Sequence, residues 1–185
     1  MYRSYKATGI VIKRKNFREA DKILTIFTKE YGKISILAKG IRKIHSRKAS
    51  QLELFSYVKV NLVHSKFLDI VTEVEIQEFF PKIRNNLKNI AYAYELVEII
   101  DRLCPEQETH KKIFDLSLEV LRILNTKEHK DAKLLLDKFT LQVLWKLGFL
   151  PYGQVLTGTS LDKFLESIIE RNIMSKRLLN KILDS

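Results

Sequence analysis

The sequence predicts a two-domain α+β protein, with a small five-stranded β-barrel over residues 1–80 and an all-α domain over residues 81–185. Apolar residues recur with a period of two up to about residue 80, and after Pro81 the period lengthens to that of an amphipathic helix. Five short strands with one long connection among them suit closure into a barrel, because closure removes exposed strand edges.

The strands follow in order. Ile10 and Ile12 alternate with Val11 and Lys13, then Ile23, Thr25 and Phe27 with Leu24, Ile26 and Thr28. Ile34, Ile36 and Ala38 alternate with Ser35, Leu37 and Lys39, and Val58, Val60 and Leu62 with Lys59 and Asn61. The clearest run sets Leu68, Ile70, Thr72, Val74 and Ile76 against Asp69, Val71, Glu73, Glu75 and Gln77. All five are rich in β-branched residues, which suit a pleated, half-buried surface. Glu30-Tyr31-Gly32-Lys33 reads as a hairpin turn in which Gly32 supplies the positive φ. A basic connection, Gly40 to Glu53, separates the third and fourth strands.

The helices begin with residues 90–103, apolar at Ile90, Ala93, Tyr94, Val97 and Ile100. Thr109 is the expected cap of a second, whose stripe is Ile113, Leu116, Val120, Leu121 and Leu124. Asp131 is the expected cap of a third, carrying Leu135, Leu136, Phe139, Val143 and Leu147 and ended by Gly148. Shorter helices are expected at Leu161–Arg171 and Ser175–Leu183, after a turn-rich linker at 151–160.

Charge is distributed unevenly over this frame. Residues 1–48 hold 14 Lys or Arg against three acids, a surplus of 11 that equals the formal net charge of +11 for the whole chain. A surplus concentrated in one folded segment points to a polyanion as partner. The candidate nucleic-acid contacts are Lys13, Arg14, Lys15 and Arg18 after the first strand, and Lys39, Arg42, Lys43, Arg47 and Lys48 in the basic connection. Tyr2, Tyr5, Phe17, Tyr31, Phe55, Tyr57 and Phe67 lie among these charges and could stack on bases, although for any one ring a core position is the commoner outcome; Phe55 is expected to be buried.

Other classes are disfavoured. No nucleophile stands beside a base, and Asp69, Glu73 and Glu75 read as the solvated face of an antiparallel sheet, so no enzyme is expected. Cys104 is the only cysteine and reads as a buried filler, and His45, His64, His110 and His129 are scattered, so neither metal nor other cofactor is expected. No run of 18 apolar residues and no signal-peptide pattern is present, so a cytoplasmic location without a membrane partner is expected. The helix at 131–147, where Lys133, Lys138 and Lys146 flank an apolar stripe, is either a packing element or a site for an acidic, hydrophobic peptide.

Several strings taken together resemble a known family: Gly9-Ile10-Val11-Ile12-Lys13, Glu19-Ala20-Asp21-Lys22-Ile23-Leu24-Thr25-Ile26-Phe27-Thr28, Tyr31-Gly32-Lys33-Ile34-Ser35 with Ala38-Lys39-Gly40-Ile41-Arg42, and Leu147-Gly148-Phe149-Leu150-Pro151. They are similar to the RecO family of bacterial recombination mediators, densely over 8–80 and less so over 81–151. The resemblance implies an N-terminal OB-fold and a helical C-terminal domain. It implies binding of single- and double-stranded DNA at the nucleoid, annealing of complementary strands coated by single-strand-binding protein, and partnership with RecR in recombinase loading. It further implies docking of the acidic, Phe-ended tail of single-strand-binding protein on the helical domain, with Lys138 in the family's basic position before Phe139. The face expected to take that tail is Leu135, Lys138, Phe139 and Val143, spaced three or four apart. Many members carry a four-cysteine zinc ribbon after the L-G-F segment; residues 151–160 stand there instead and contain no cysteine. An RNA- or ribosome-associated OB protein and a protein adaptor with a basic barrel are the alternative readings.

Overall fold

The computed structural model describes residues 4–43, 48–126 and 131–169. Two compact units emerge, residues 1–79 with 105–114 and residues 80–104 with 115–185. The break near residue 80 falls where the period changes, but the segment 105–114 joins the strands.

The first unit is a closed barrel with strand order β1-β2-β3-β5-β4. Its strands are β1 (Ser4–Phe17), β2 (Asp21–Thr28), β3 (Gly32–Ala38), β4 (Tyr57–Val63) and β5 (Asp69–Glu78), with a short helix α1 (Lys48–Gln51) between β3 and β4. All pairings are antiparallel except a short parallel contact of β3 with β5, at Ile36↔Asp69 and Leu37↔Ile70, which closes the barrel. This is the OB-fold arrangement the sequence predicts.

β1 is long because it serves two neighbours. Residues 4–10 pair with β4 and residues 9–17 with β2. At Gly9 both partners meet the strand, and a Cβ there would lie 2.4 Å from Ile26 Cγ2 and 2.7 Å from the Phe27 carbonyl, so only glycine fits. A bulge between Val11 and Lys13 turns the strand after this crossing. Alternation sends Val11, Leu24, Ile26, Ile36, Val58, Val60, Leu62 and Val71 into one core, each contributing about 1.5–3 kcal/mol of apolar burial.

Residues 105–110 lie against the start of β3. Lys33 and Glu106 form a parallel bridge, and Gln107 N–H donates to the Lys33 carbonyl at 2.9 Å. Phe114 then sets its ring 6.0 Å from Phe27 and 6.1 Å from Tyr57. Gly32 has the expected positive φ, 67°, and a second role, because a Cβ there would fall 2.0 Å from the Glu108 carbonyl oxygen.

The second unit holds α2 (Pro81–Arg84), α3 (Leu87–Leu103), most of α4 (Lys111–Leu124), α5 (Ala132–Lys146) and α6 (Thr159–Ile169). α3 starts three residues before the apolar stripe because Asn86 caps it, accepting from the Lys88 and Asn89 N–H groups at 3.0 Å. Asn89, also buried, donates to the Leu124 carbonyl at 2.9 Å. Two expected caps are corrected. α4 starts beyond Thr109, with Phe114 N–H donating to His110, and the Asp131 side chain makes no cap bond although its residue holds that position. Leu96, Ile100, Leu121, Leu136, Phe139, Leu144, Leu161 and Leu165 are buried in this unit, and Cys104 is buried at the end of α3. The helix expected at 175–183 lies outside the described residues. Among those residues no helix is long and apolar enough to cross a membrane.

Candidate nucleic-acid interface

Antiparallel pairing places the β1–β2 turn and the end of β3 together, since Phe17 faces Asp21 and Lys22 faces Ala38. The connection leaving β3 is latched to that turn through backbone groups. Arg42 N–H donates to the Ala20 carbonyl at 3.0 Å, Arg42 Nη1 to the Arg18 carbonyl at 3.3 Å, and Gly40 N–H to Asp21 Oδ1 at 2.8 Å. Ile41, buried in the barrel core, pins the same connection from inside. Arg18 occupies the left-handed region with φ 53°, a conformation an arginine holds only where its surroundings enforce it. Arg18, Lys39, Arg42 and Lys43 thus stand exposed at one end of the barrel on a backbone organised before any ligand arrives.

The remaining predicted cations divide by pleat. Arg14 pairs with Leu24, a core residue, and so faces inward at the barrel mouth, where its guanidinium bonds the Glu53 carboxylate. Lys13 and Lys15 point to the outer face and are exposed. Lys48 is half-buried, its ammonium donating to the Val71 carbonyl at 3.1 Å. Through these bonds Arg14 and Lys48 also tie the barrel end together. Arg47, like Tyr2, lies outside the described residues.

Lys22 belongs to this neighbourhood although its sequence position did not single it out. Burial pushes its ammonium below the ordinary lysine pKa, and Arg14 and Arg42 push it the same way against the pull of Glu53. Three cations from β1, β2 and the basic connection thus share one locality. The signal in the sequence was its place one residue after Asp21, which anchors Gly40.

The aromatic residues mostly lie elsewhere. Phe55 is buried as expected, and Phe17 is half-buried with the Arg18 guanidinium 5.2 Å from its ring centre. Tyr5, Tyr31 and Phe67 gather at the opposite end of the barrel, by the β2–β3 turn and the β4–β5 connection. Glu73 and Glu75 are exposed on β5, whereas Asp69 accepts from Tyr5 Oη.

In the helical unit the expected peptide face separates into two parts. Lys138 is exposed and Leu135 half-buried, but Phe139 and Val143 are 3% and 0% exposed and belong to the core. The apolar residue that α5 does present beside Lys138 is Leu134, 53% exposed and four residues away on the same face.

Residues 1–80 match the family model described as recombination protein O N terminal, and residues 84–176 the one described as recombination protein O C terminal. The chain is 37% identical over 147 residues to the DNA repair protein RecO of Symbiobacterium thermophilum, covering 80% of this chain and 58% of that protein. It is also 37% identical to the DNA repair protein RecO of Pelotomaculum thermopropionicum, over 80% of this chain and 56% of the relative. With the DNA repair protein RecO of Halalkalibacterium halodurans it shares 29% identity over 179 residues, 96% of this chain and 70% of the relative. The chain thus spans somewhat more than half the length of the first two relatives.

Proposed function

The chain belongs to the recombination protein O family, and from that premise and its basic barrel end we propose that it is a DNA-binding factor of recombinational DNA repair. The observation that carries this reading is the latched cluster of Arg18, Lys39, Arg42 and Lys43, with Lys13, Lys15 and Lys22 around it. Exposed cations held by backbone bonds neutralise successive phosphates without first paying for loop ordering, and each neutralised phosphate releases condensed counterions.

In its finer form the proposal is that the protein anneals complementary single strands and helps load recombinase on DNA coated by single-strand-binding protein, together with RecR. It is non-enzymatic in this reading and works in the cytoplasm at the nucleoid. Annealing asks for neutralisation of two mutually repelling backbones, which a surplus of 11 positive charges in one segment supplies. The acidic tail of single-strand-binding protein would dock on α5 at Lys138, with Leu134 and Leu135 as its apolar contacts.

The test is annealing of complementary oligonucleotides pre-coated with the cognate single-strand-binding protein, followed by fluorescence transfer. Annealing should rise with protein concentration and fall with salt. An unchanged rate in the presence of folded protein would refute the annealing role, and tight binding to RNA in place of DNA would move the protein to another class.

A further inference from the structure

At the barrel end opposite the basic cluster, carboxylates outnumber cations around one cavity. The cavity, of about 920 Å³, is walled by four rings, Tyr5, Tyr31, His64 and Phe67. Tyr5 meets Tyr31 edge-on with centroids 5.0 Å apart and stacks on His64 at 4.8 Å. Phe67 is 94% exposed on the β4–β5 connection, an uncommon position for so large an apolar ring. Among the described residues, three carboxylates line the cavity, Glu30, Asp69 and Glu106, against one lysine, Lys33, itself buried. Asp69 is positioned by Tyr5 Oη, by His64 Nδ1 at 3.2 Å and by Ser65 N–H at 3.4 Å, and Glu30 accepts from Thr8 N–H at 2.8 Å. Burial and the Asp69 carboxylate push the Tyr5 hydroxyl well above the ordinary phenol pKa, so it stays protonated and keeps donating.

We propose that this cavity receives an arginine side chain presented by a peptide segment of a protein partner. A nucleotide would bring a phosphate with every base, and three carboxylates oppose it. A lysine would satisfy the carboxylates but would not use the rings as well. A guanidinium does both, since its plane stacks on aromatic faces and its fork of N–H donors reaches carboxylate oxygens. An ionised carboxylate offers about four acceptor positions, so Glu30 and Asp69 keep acceptor capacity beyond the bonds given above. The wall built by Glu106 and Gln107 exists because residues 105–110 pack on β3, which gives that segment a role beyond joining helices. A partner bound here leaves the DNA face at the other barrel end open, and the inference does not depend on the DNA reading.

The experiment uses the whole chain labelled with nitrogen-15 and titrated with three probes: blocked Gly-Arg-Gly, the same peptide with neutral citrulline for arginine, and a fifteen-nucleotide oligo-dT. The arginine peptide should shift the amide resonances of Tyr31, His64, Phe67 and Gln107, and citrulline should bind at least about tenfold more weakly, as loss of a charge-assisted pair requires. Phe67→Ala, at a side chain too exposed to affect folding, should weaken the arginine peptide by about three- to tenfold while leaving DNA affinity unchanged. Glu106→Gln should weaken it by about two- to fivefold. Equal affinity for citrulline, or shifts confined to other residues, would overturn the proposal. Oligo-dT shifting these four resonances when the arginine peptide does not would overturn it in favour of a base-stacking site.

Discussion

The basic barrel end and the junction of α3, α5 and α6 are both built from charged residues, and they use charge in opposite ways. At the barrel end Arg18, Lys39, Arg42 and Lys43 are exposed among other cations, and the backbone holds them there. In the helical unit the Lys133 ammonium lies 2.9 Å from Asp137, 3.7 Å from Glu95 and 3.8 Å from Asp162, and Glu95 is 2% exposed. The second cluster sets one ammonium among three carboxylates and joins three helices; the first leaves its field for a ligand. Like charges gathered in water serve recognition, whereas mixed charges withdrawn from water serve the fold and are costly to disrupt.

The largest expected effect separates these two uses. Replacing Arg18, Lys39, Arg42 and Lys43 with Gln should flatten the slope of log K against log salt for single-stranded DNA by up to about 3, and lower the affinity at 0.1 M salt by about two to three decades. Fluorescence anisotropy of a labelled oligonucleotide over a salt series measures both, and the unfolding midpoint should stay put. A steep slope that survives in the folded variant would place the DNA face elsewhere.

Lys133→Met should do the converse. It removes the ammonium facing the buried Glu95 carboxylate and should cost about 2–3 kcal/mol of stability in denaturant melts, a figure reduced because Lys133 is partly solvated. DNA affinity should not change. Burial alone would lower the Lys133 pKa, but Glu95, Asp137 and Asp162 outweigh it and hold it above the ordinary 10.5. A base whose folded pKa is raised contributes its full stability below the unfolded value and loses it as pH rises through the folded one. The stability gap between wild type and Lys133→Met should therefore be constant at neutral pH and close above about pH 10.5.

Gly32→Ala comes next, at about 2 kcal/mol, from the positive φ and from the contact its Cβ would make with Glu108. Hydrogen exchange should show the loss at residues 105–110 before the barrel strands. The smallest effect is expected of Lys138→Glu, which should weaken an acidic, Phe-ended peptide by about two- to fivefold and leave naked-DNA binding intact. Equal loss of both would mean that peptide and DNA share a surface.

Much of the architecture was legible in the residues alone. Period-two runs located all five strands because each has one face in the barrel core, and the change of period at Pro81 located the helical unit. The concentration of charge in residues 1–48 and the turn at Gly32 could be read directly, because both are local properties of the chain. Periodicity tells which face of an element is buried only while the pleat is unbroken, and not what that face meets: a register shift in β5 opposite Asn61 and Leu62 puts Val71, read with the solvated set, into the core and leaves Thr72 exposed. Barrel closure and strand register decided that Arg14 turns inward to Glu53, 39 residues away, while Lys13 and Lys15 turn out. They also brought Lys22 in among Arg14 and Arg42, and set carboxylates and rings at the opposite end. Burial within the helical unit took Phe139 and Val143 away from the surface and left Leu134 there. These outcomes rest on pairings between residues far apart in sequence, and only the folded chain brings such groups close enough to neutralise, repel or cover one another.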